Sequence, residues 1–210
     1  MRDLGAFAGD FNLSLAARIN DAGQVVGRSI TAESYYHGFI TGPNGASMRD
    51  IGTLNDSFYQ SQSSANDING SGQVAGTSTS TDRIHAFITR PDGIGMRDLG
   101  TLGGISSNAA GINDVGQVVG EFRTTEGRSR AFITGPNGEG MVDLNSLVDL
   151  PPHGLILTQA IDINNNGQVI AMGILPEPET YALMLAGLGL IGFMARRTEA
   201  KCRGGPPAYL

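Results

Sequence analysis

One nine-residue phrase governs what this chain can become. INDAGQVVG at Ile19 returns as INGSGQVAG at Ile68, INDVGQVVG at Ile112 and INNNGQVIA at Ile163. Two further phrases keep step with it. HGFITGPNG at His37 returns as HAFITRPDG at His85 and RAFITGPNG at Arg130, and MRDLG at Met1 returns as MRDIG at Met48, MRDLG at Met96 and MVDLN at Met141. The three series hold one order at a spacing of about 45 to 50 residues, so the chain is an array of like units. Units of this kind bury their apolar surface against one another rather than around one shared centre.

Each unit reads as four short strands. In the third copy these are residues 108–113, 116–122, 129–134 and 140–145, whose apolar residues alternate or cluster at strand length. Asn-Asp-x-Gly between the first two strands suits a hairpin, with Asn and Gly both tolerant of left-handed backbone. Gly-Pro-Asn-Gly between the last two suits a turn with proline at the first central position and glycine taking the positive φ. The segment between strands two and three, residues 123–128 in this copy, varies between units and reads as an exposed loop.

The expected fold class is therefore all-β, with tandem four-stranded repeats in a β-propeller-like array, complete or incomplete. A β-solenoid is the runner-up, because its coils are usually shorter and lack two tight hairpins per repeat. The repeats fall at about 13–54, 61–102, 105–147 and, in part, 156–173, within a domain of residues 1–173. A fourth-strand phrase at residues 1–5 has no unit of its own. It either pairs with the final half-unit to close a small ring, or the chain is a fragment of a larger one. The fragment is the favoured expectation, because the last unit lacks its His-Ala-Phe strand.

Composition agrees with strands and turns: 31 Gly, 9 Pro and only 16% charged residues. A net charge of −6 argues against nucleic acid as a partner, since phosphate binding needs concentrated Lys and Arg. The one cysteine, Cys202, cannot form an internal disulfide.

Candidate sites yield to structural readings. His37 and His85 hold equivalent repeat positions where the third copy has Arg130, which points to hydrogen-bonding structure; His153 stands alone in a loop. A calcium loop needs oxygen ligands at alternating positions. Asp21 and Asp114 are single acids in their turns, with Gly70 and Asn165 in the other copies. Asp3, Asp50, Asp98 and Asp143 recur in every unit and are expected to bond neighbouring backbone and tie blade to blade. There is no Gly-x-Ser-x-Gly elbow, P-loop or His-Glu-x-x-His. No catalytic, cofactor-binding or metal residue is assigned. TSTSTD at residues 77–82 is too short for an ice-binding array.

The C-terminal part changes character. Pro176-Glu177-Pro178 lies in a linker of residues 174–180, which the prolines keep extended. Residues 181–195 carry no charge and no polar face, and Arg196 and Arg197 close them, so residues 181–197 are expected to form one hydrophobic helix with a basic stop. At about 1.5 Å per residue the uncharged stretch reaches roughly 22 Å, against a bilayer core of about 30 Å. Snorkelling arginines and local thinning offset part of the difference. Arg196, Arg197, Lys201 and Arg203 place this end in the cytoplasm and the repeats outside. Residues 198–210 receive no role.

The repeat units resemble the HAF repeat of bacterial extracellular proteins, through His85-Ala86-Phe87, the altered triplets at His37 and Arg130, and GMRDLGTLGG at residues 95–104. That resemblance implies location and architecture, with no activity attached. Residues 176–197 resemble the PEP-CTERM sorting signal, also catalogued as an ice-binding-protein C-terminal segment. It implies transient holding in an inner membrane and processing by an exosortase. Such a signal works only after export, and MRDLGAFAGDF has no basic start followed by an apolar run. Either the start of the frame lies upstream or this copy is not exported. The expectation is a non-enzymatic, exported surface or matrix protein with binding or scaffolding work and an extracellular polysaccharide as candidate partner. The alternative is a propeller-type enzyme acting on such a polysaccharide.

Overall fold

The computed structural model describes residues 3–7, 13–55, 60–81, 83–149 and 154–175. Three four-stranded antiparallel sheets and a hairpin follow one another along the chain, each with strands in sequence order. The first sheet holds β1 (Ser14–Ile19), β2 (Val25–Ile30), β3 (Tyr36–Gly42) and β4 (Ala46–Asp50). The second holds β5 (Ser63–Ile68), β6 (Val74–Thr79), β7 (Ile84–Arg90) and β8 (Ile94–Gly100). The third holds β9 (Ser106–Ile112), β10 (Val118–Arg123), β11 (Ser129–Ile133) and β12 (Val142–Asp143). The hairpin pairs β13 (Ile156–Ile163) with β14 (Val169–Ile174). The all-β, four-strand reading of the repeat holds.

The first turn of each unit works through glycine. Gly72 sits at φ +79°, and a Cβ there would lie 3.0 Å from the backbone nitrogen of Asp92 in the second turn. The two turns are docked together, with Gly93 N–H donating to the Gly72 carbonyl at 2.9 Å. The second turn differs from expectation. Positive φ falls on both Asn44 (+55°) and Gly45 (+69°), as on Asp92 and Gly93, and on Asn137 and Gly138. Proline thus precedes the central pair, and the pair is the left-handed Asn-Gly or Asp-Gly combination whose twist matches that of a hairpin. A threonine within one residue of the end of each third strand turns back to the second: Thr41, Thr89 and Thr134 Oγ1 accept from Val25, Val74 and Val118 N–H at 2.8, 2.9 and 2.9 Å.

The sheets bury their faces on one another, as one apolar set repeated at each junction shows. Val26 and Ile40 of the first sheet pack with Ala65 and Ile68 of the second. Ala75 and Ile88 of the second pack with Ala109 and Ile112 of the third. Val119 and Ile133 of the third pack with Ala160 and Ile163 of the hairpin. Phe39, Phe87 and Phe132, from the middle of each third strand, are wholly buried. The first strands of the later units, β5, β9 and β13, are each laid across the preceding sheet.

Two expectations change. The fourth strand of the third unit is only two residues long, and a 3-10 turn, Leu144–Ser146, takes over where Asn145 replaces the usual glycine. Residues 3–7 are not a strand paired with the final hairpin. They bond to the first sheet, Phe7 N–H donating to Ser29 Oγ at 3.0 Å, so the strand exchange that would close a ring is not made. The described residues form an open stack with β1 at one end and the β13–β14 hairpin at the other. No helix among the described residues is long and apolar enough to cross a membrane. The expected hydrophobic helix at 181–197 lies outside them.

Candidate functional site

The repeated phrases converge on the junctions between sheets. Asn20, Asn69, Asn113 and Asn164 form a line along the stack. Each side-chain oxygen accepts the N–H of the glutamine four residues on, at 3.0, 2.9, 2.9 and 3.0 Å. Each amide donates to that glutamine's Oε1 at 2.8 to 2.9 Å. The amide's other hydrogen reaches the next unit: Asn20 to the Asn69 carbonyl at 3.1 Å, Asn69 to Asn113 at 3.0 Å, and Asn113 to Asn164 at 3.3 Å. Asn69 and Asn113 are buried, where an unmatched amide is costly and every member of such a network must be satisfied.

Two other devices cross each full junction. Ser63 Oγ accepts from Gly38 N–H at 2.9 Å and donates to the Gly52 carbonyl at 2.6 Å. Ser107 repeats this with Ala86 N–H at 2.8 Å and the Gly100 carbonyl at 2.5 Å. The arginine of the MRD phrase reaches forward, Arg49 to the Asp92 carbonyl and Arg97 to that of Asn137.

The recurring aspartates act within a unit, which corrects the expectation that they tie blade to blade. Asp50 and Asp98 Oδ1 accept from Gly52 and Gly100 N–H at 2.7 Å, and Asp3 and Asp143 do the same for Gly5 and Asn145 at 2.9 Å. The other oxygen of Asp50 meets His37 Nδ1, and that of Asp98 meets His85 Nδ1, both at 2.8 Å. Arg130 takes the histidine's place beside Asp143 at 3.8 Å. The Asn, Ser and Arg links between sheets described above do not involve these four aspartates.

Asp114, the single acid of its turn, bonds beyond that turn. Its carboxylate accepts from Gly70 N–H at 2.8 Å and from the Asn165 amide at 2.6 Å, and so meets the units on both sides. No group of three His, Cys, Asp or Glu side chains able to hold a metal ion occurs among the described residues. His153 lies outside them.

The Asp67 carboxyl is perturbed. Burial pushes Asp67 above the ordinary carboxylate range; N–H groups of Ile112 and Ile68 oppose the shift, the Asp162 charge adds to it, and Arg18 subtracts. Asp67 Oδ2 accepts from Ile112 N–H at 2.9 Å, and Oδ1 lies 3.9 Å from Arg18 Nε. Its hydrogen bond is to backbone of the next sheet, so its place is in the junction.

Two equivalent clefts open where the second turns meet the following unit. One, of about 520 Å³, is lined by Gln24, Thr41, Pro43, Met48, Arg49 and Asp92. The other, of about 490 Å³, is lined by Gln73, Thr89, Pro91, Met96, Arg97 and Asn137. Each offers a cation, amide groups and an apolar methionine wall at one repeat's pitch from its twin.

Pro176, Glu177 and Pro178, with the basic stop Arg196 and Arg197, lie outside the described residues. Residues 175–197 match the family of the PEP-CTERM protein-sorting motif. No curated protein matches the chain.

Proposed function

We propose that this is an exported surface or matrix protein, delivered through its C-terminal motif and processed by an exosortase, whose repeat array is a non-enzymatic binding scaffold. The sorting motif at 175–197 carries the reading. Its order of Pro-Glu-Pro, uncharged stretch and paired arginines is that of a signal read by a membrane enzyme rather than of a packed domain element. The HAF-like repeats are the delivered part, and the array is propeller-like in its sheet stacking.

An extracellular polysaccharide is the proposed partner. Twin clefts one repeat apart suit a polymer that is itself periodic, and their mixture of arginine, amide and methionine suits hydroxyl groups set on an apolar ring face. What supports a scaffold rather than an enzyme is repetition: His37–Asp50 and His85–Asp98 are equivalent pairs in the first two units, and Arg130–Asp143 holds the same place in the third.

The test is expression of the full chain behind a signal peptide in a Gram-negative host with its exosortase present or deleted. Processing at the motif and surface delivery are expected only with the enzyme, and Glu177→Ala is expected to leave the precursor in the membrane. Identical fate in both hosts overturns the reading.

A further inference from the structure

The two ends of the stack are halves of the same junction. At each internal junction an isoleucine of the incoming first strand is buried: Ile68, Ile112 and Ile163 are 7%, 5% and 5% exposed, whereas Ile19 of β1 is 66% exposed. Ala65, Ala109 and Ala160 are wholly buried, and their counterpart Ala16 is exposed. The receiving face shows the converse. Val26, Ala75 and Val119 are wholly buried against those alanines and isoleucines, while the fourth member of the series, Ile170 of β14, is 64% exposed.

The polar parts match as well. Among the described residues, Asn164 makes the within-unit bonds of its series but its amide meets no further asparagine carbonyl, and the Asn20 carbonyl accepts no asparagine amide. The residue before each isoleucine forms a column: Arg18, Asp67, Gly111, Asp162. Within it Arg18 already faces Asp67, and Asp162 presses on Gly111 with its charge felt at Asp67. The next occupant of that column after the acidic Asp162 would be the basic Arg18 of a stack beginning again.

We infer that a second copy of this chain docks head to tail, its β1 laid on the β13–β14 face of the first. Ile19 and Ala16 then cover Ile170, the Asn164 amide donates to the Asn20 carbonyl, and Arg18 sits beside Asp162. The contact is heterologous, so repetition gives either a closed ring of copies or an open row. The hairpin supplies two of the four strands that an internal junction offers, which makes the contact weaker than those within the chain.

The full chain, held in a mild non-ionic detergent, tests this by crosslinking in a Cys202→Ser background. Ile19→Cys and Ile170→Cys are made on separate chains and mixed under oxidising conditions; both positions are largely exposed, so both variants fold. A disulfide between unlike chains is expected to exceed either like-chain product by about tenfold, because only one register brings these positions together. In sedimentation, Ile170→Lys is expected to shift association of the otherwise unaltered chain to about tenfold higher concentration. Three results overturn the inference. They are a monomer at every concentration, like-chain products equal to the unlike one, and a disulfide forming within one chain that carries both substitutions.

Discussion

At the residue scale the central actor is an asparagine. Asn69 satisfies its own turn, clamps Gln73 and reaches the Asn113 carbonyl, so removing its side chain strands several buried groups at once. Asn69→Ala is expected to lower stability by about 2 kcal/mol, measured by urea denaturation. Asn164→Ala, at the exposed end of the same line, is expected to change it by less than about 0.5 kcal/mol. Asp67 gives a pH test. Its folded proton affinity is raised, so its charged form opposes folding above the folded pKa, and that cost fades as pH falls through it toward 3.8. Asp67→Asn keeps an acceptor for Ile112 N–H and removes the charge. Relative to the unaltered protein it is therefore expected to melt highest at pH 7, with the advantage shrinking toward pH 4. An advantage that grows on acidification contradicts this. Arg18 and Asp162 remain in both proteins, so the comparison isolates Asp67.

At the element scale the hairpins are limited by a close approach between their first two strands. A Cβ on Gly76 would lie 2.0 Å from the Ser64 carbonyl oxygen, and the same contact recurs at Gly27 and Gly120. Each of these pairs carries one bulge beside the contact. The final hairpin has Ala171 in that position and carries a second bulge, between Leu157 and Gln159. Gly76→Ala is expected to cost about 3 kcal/mol, since the obstruction is backbone rather than a movable side chain. Ala171→Gly is expected to stay within about 1 kcal/mol. Both are read from denaturation midpoints.

The strands themselves were legible because alternation and turn residues are local signals, and the third copy's β9, β10 and β11 lie within two residues of the expected bounds. What was not legible depended on partners distant in sequence. The Asn of each first turn looked like a left-handed turn residue, whereas positive φ belongs to the glycine and the asparagine serves the next unit. The pairing of Asn with Gln four residues later, intact in all four phrases, was the available signal. The aspartates were correctly expected to hold backbone, but which unit's backbone is a matter of stacking that spacing alone does not express.

At the scale of the whole molecule, stability resides in contacts between neighbours. Each sheet has an apolar face that only the adjacent unit covers, and the polar line through Asn20, Asn69, Asn113 and Asn164 runs across every junction. An array of this kind behaves as units coupled to nearest neighbours, with the ends least supported. The scaffold role proposed above would draw on this: units multiply equivalent clefts without a new core, and the sorting motif at 175–197 follows the last hairpin directly in sequence. Native-state hydrogen exchange on the full chain, compared with Asn69→Ala, tests the dependence of sheet on sheet most directly. The prediction is that this one substitution lowers amide protection in both β5–β8 and β9–β12, because it opens the junction they share. Loss confined to β5–β8, with β9–β12 protected as before, would contradict it.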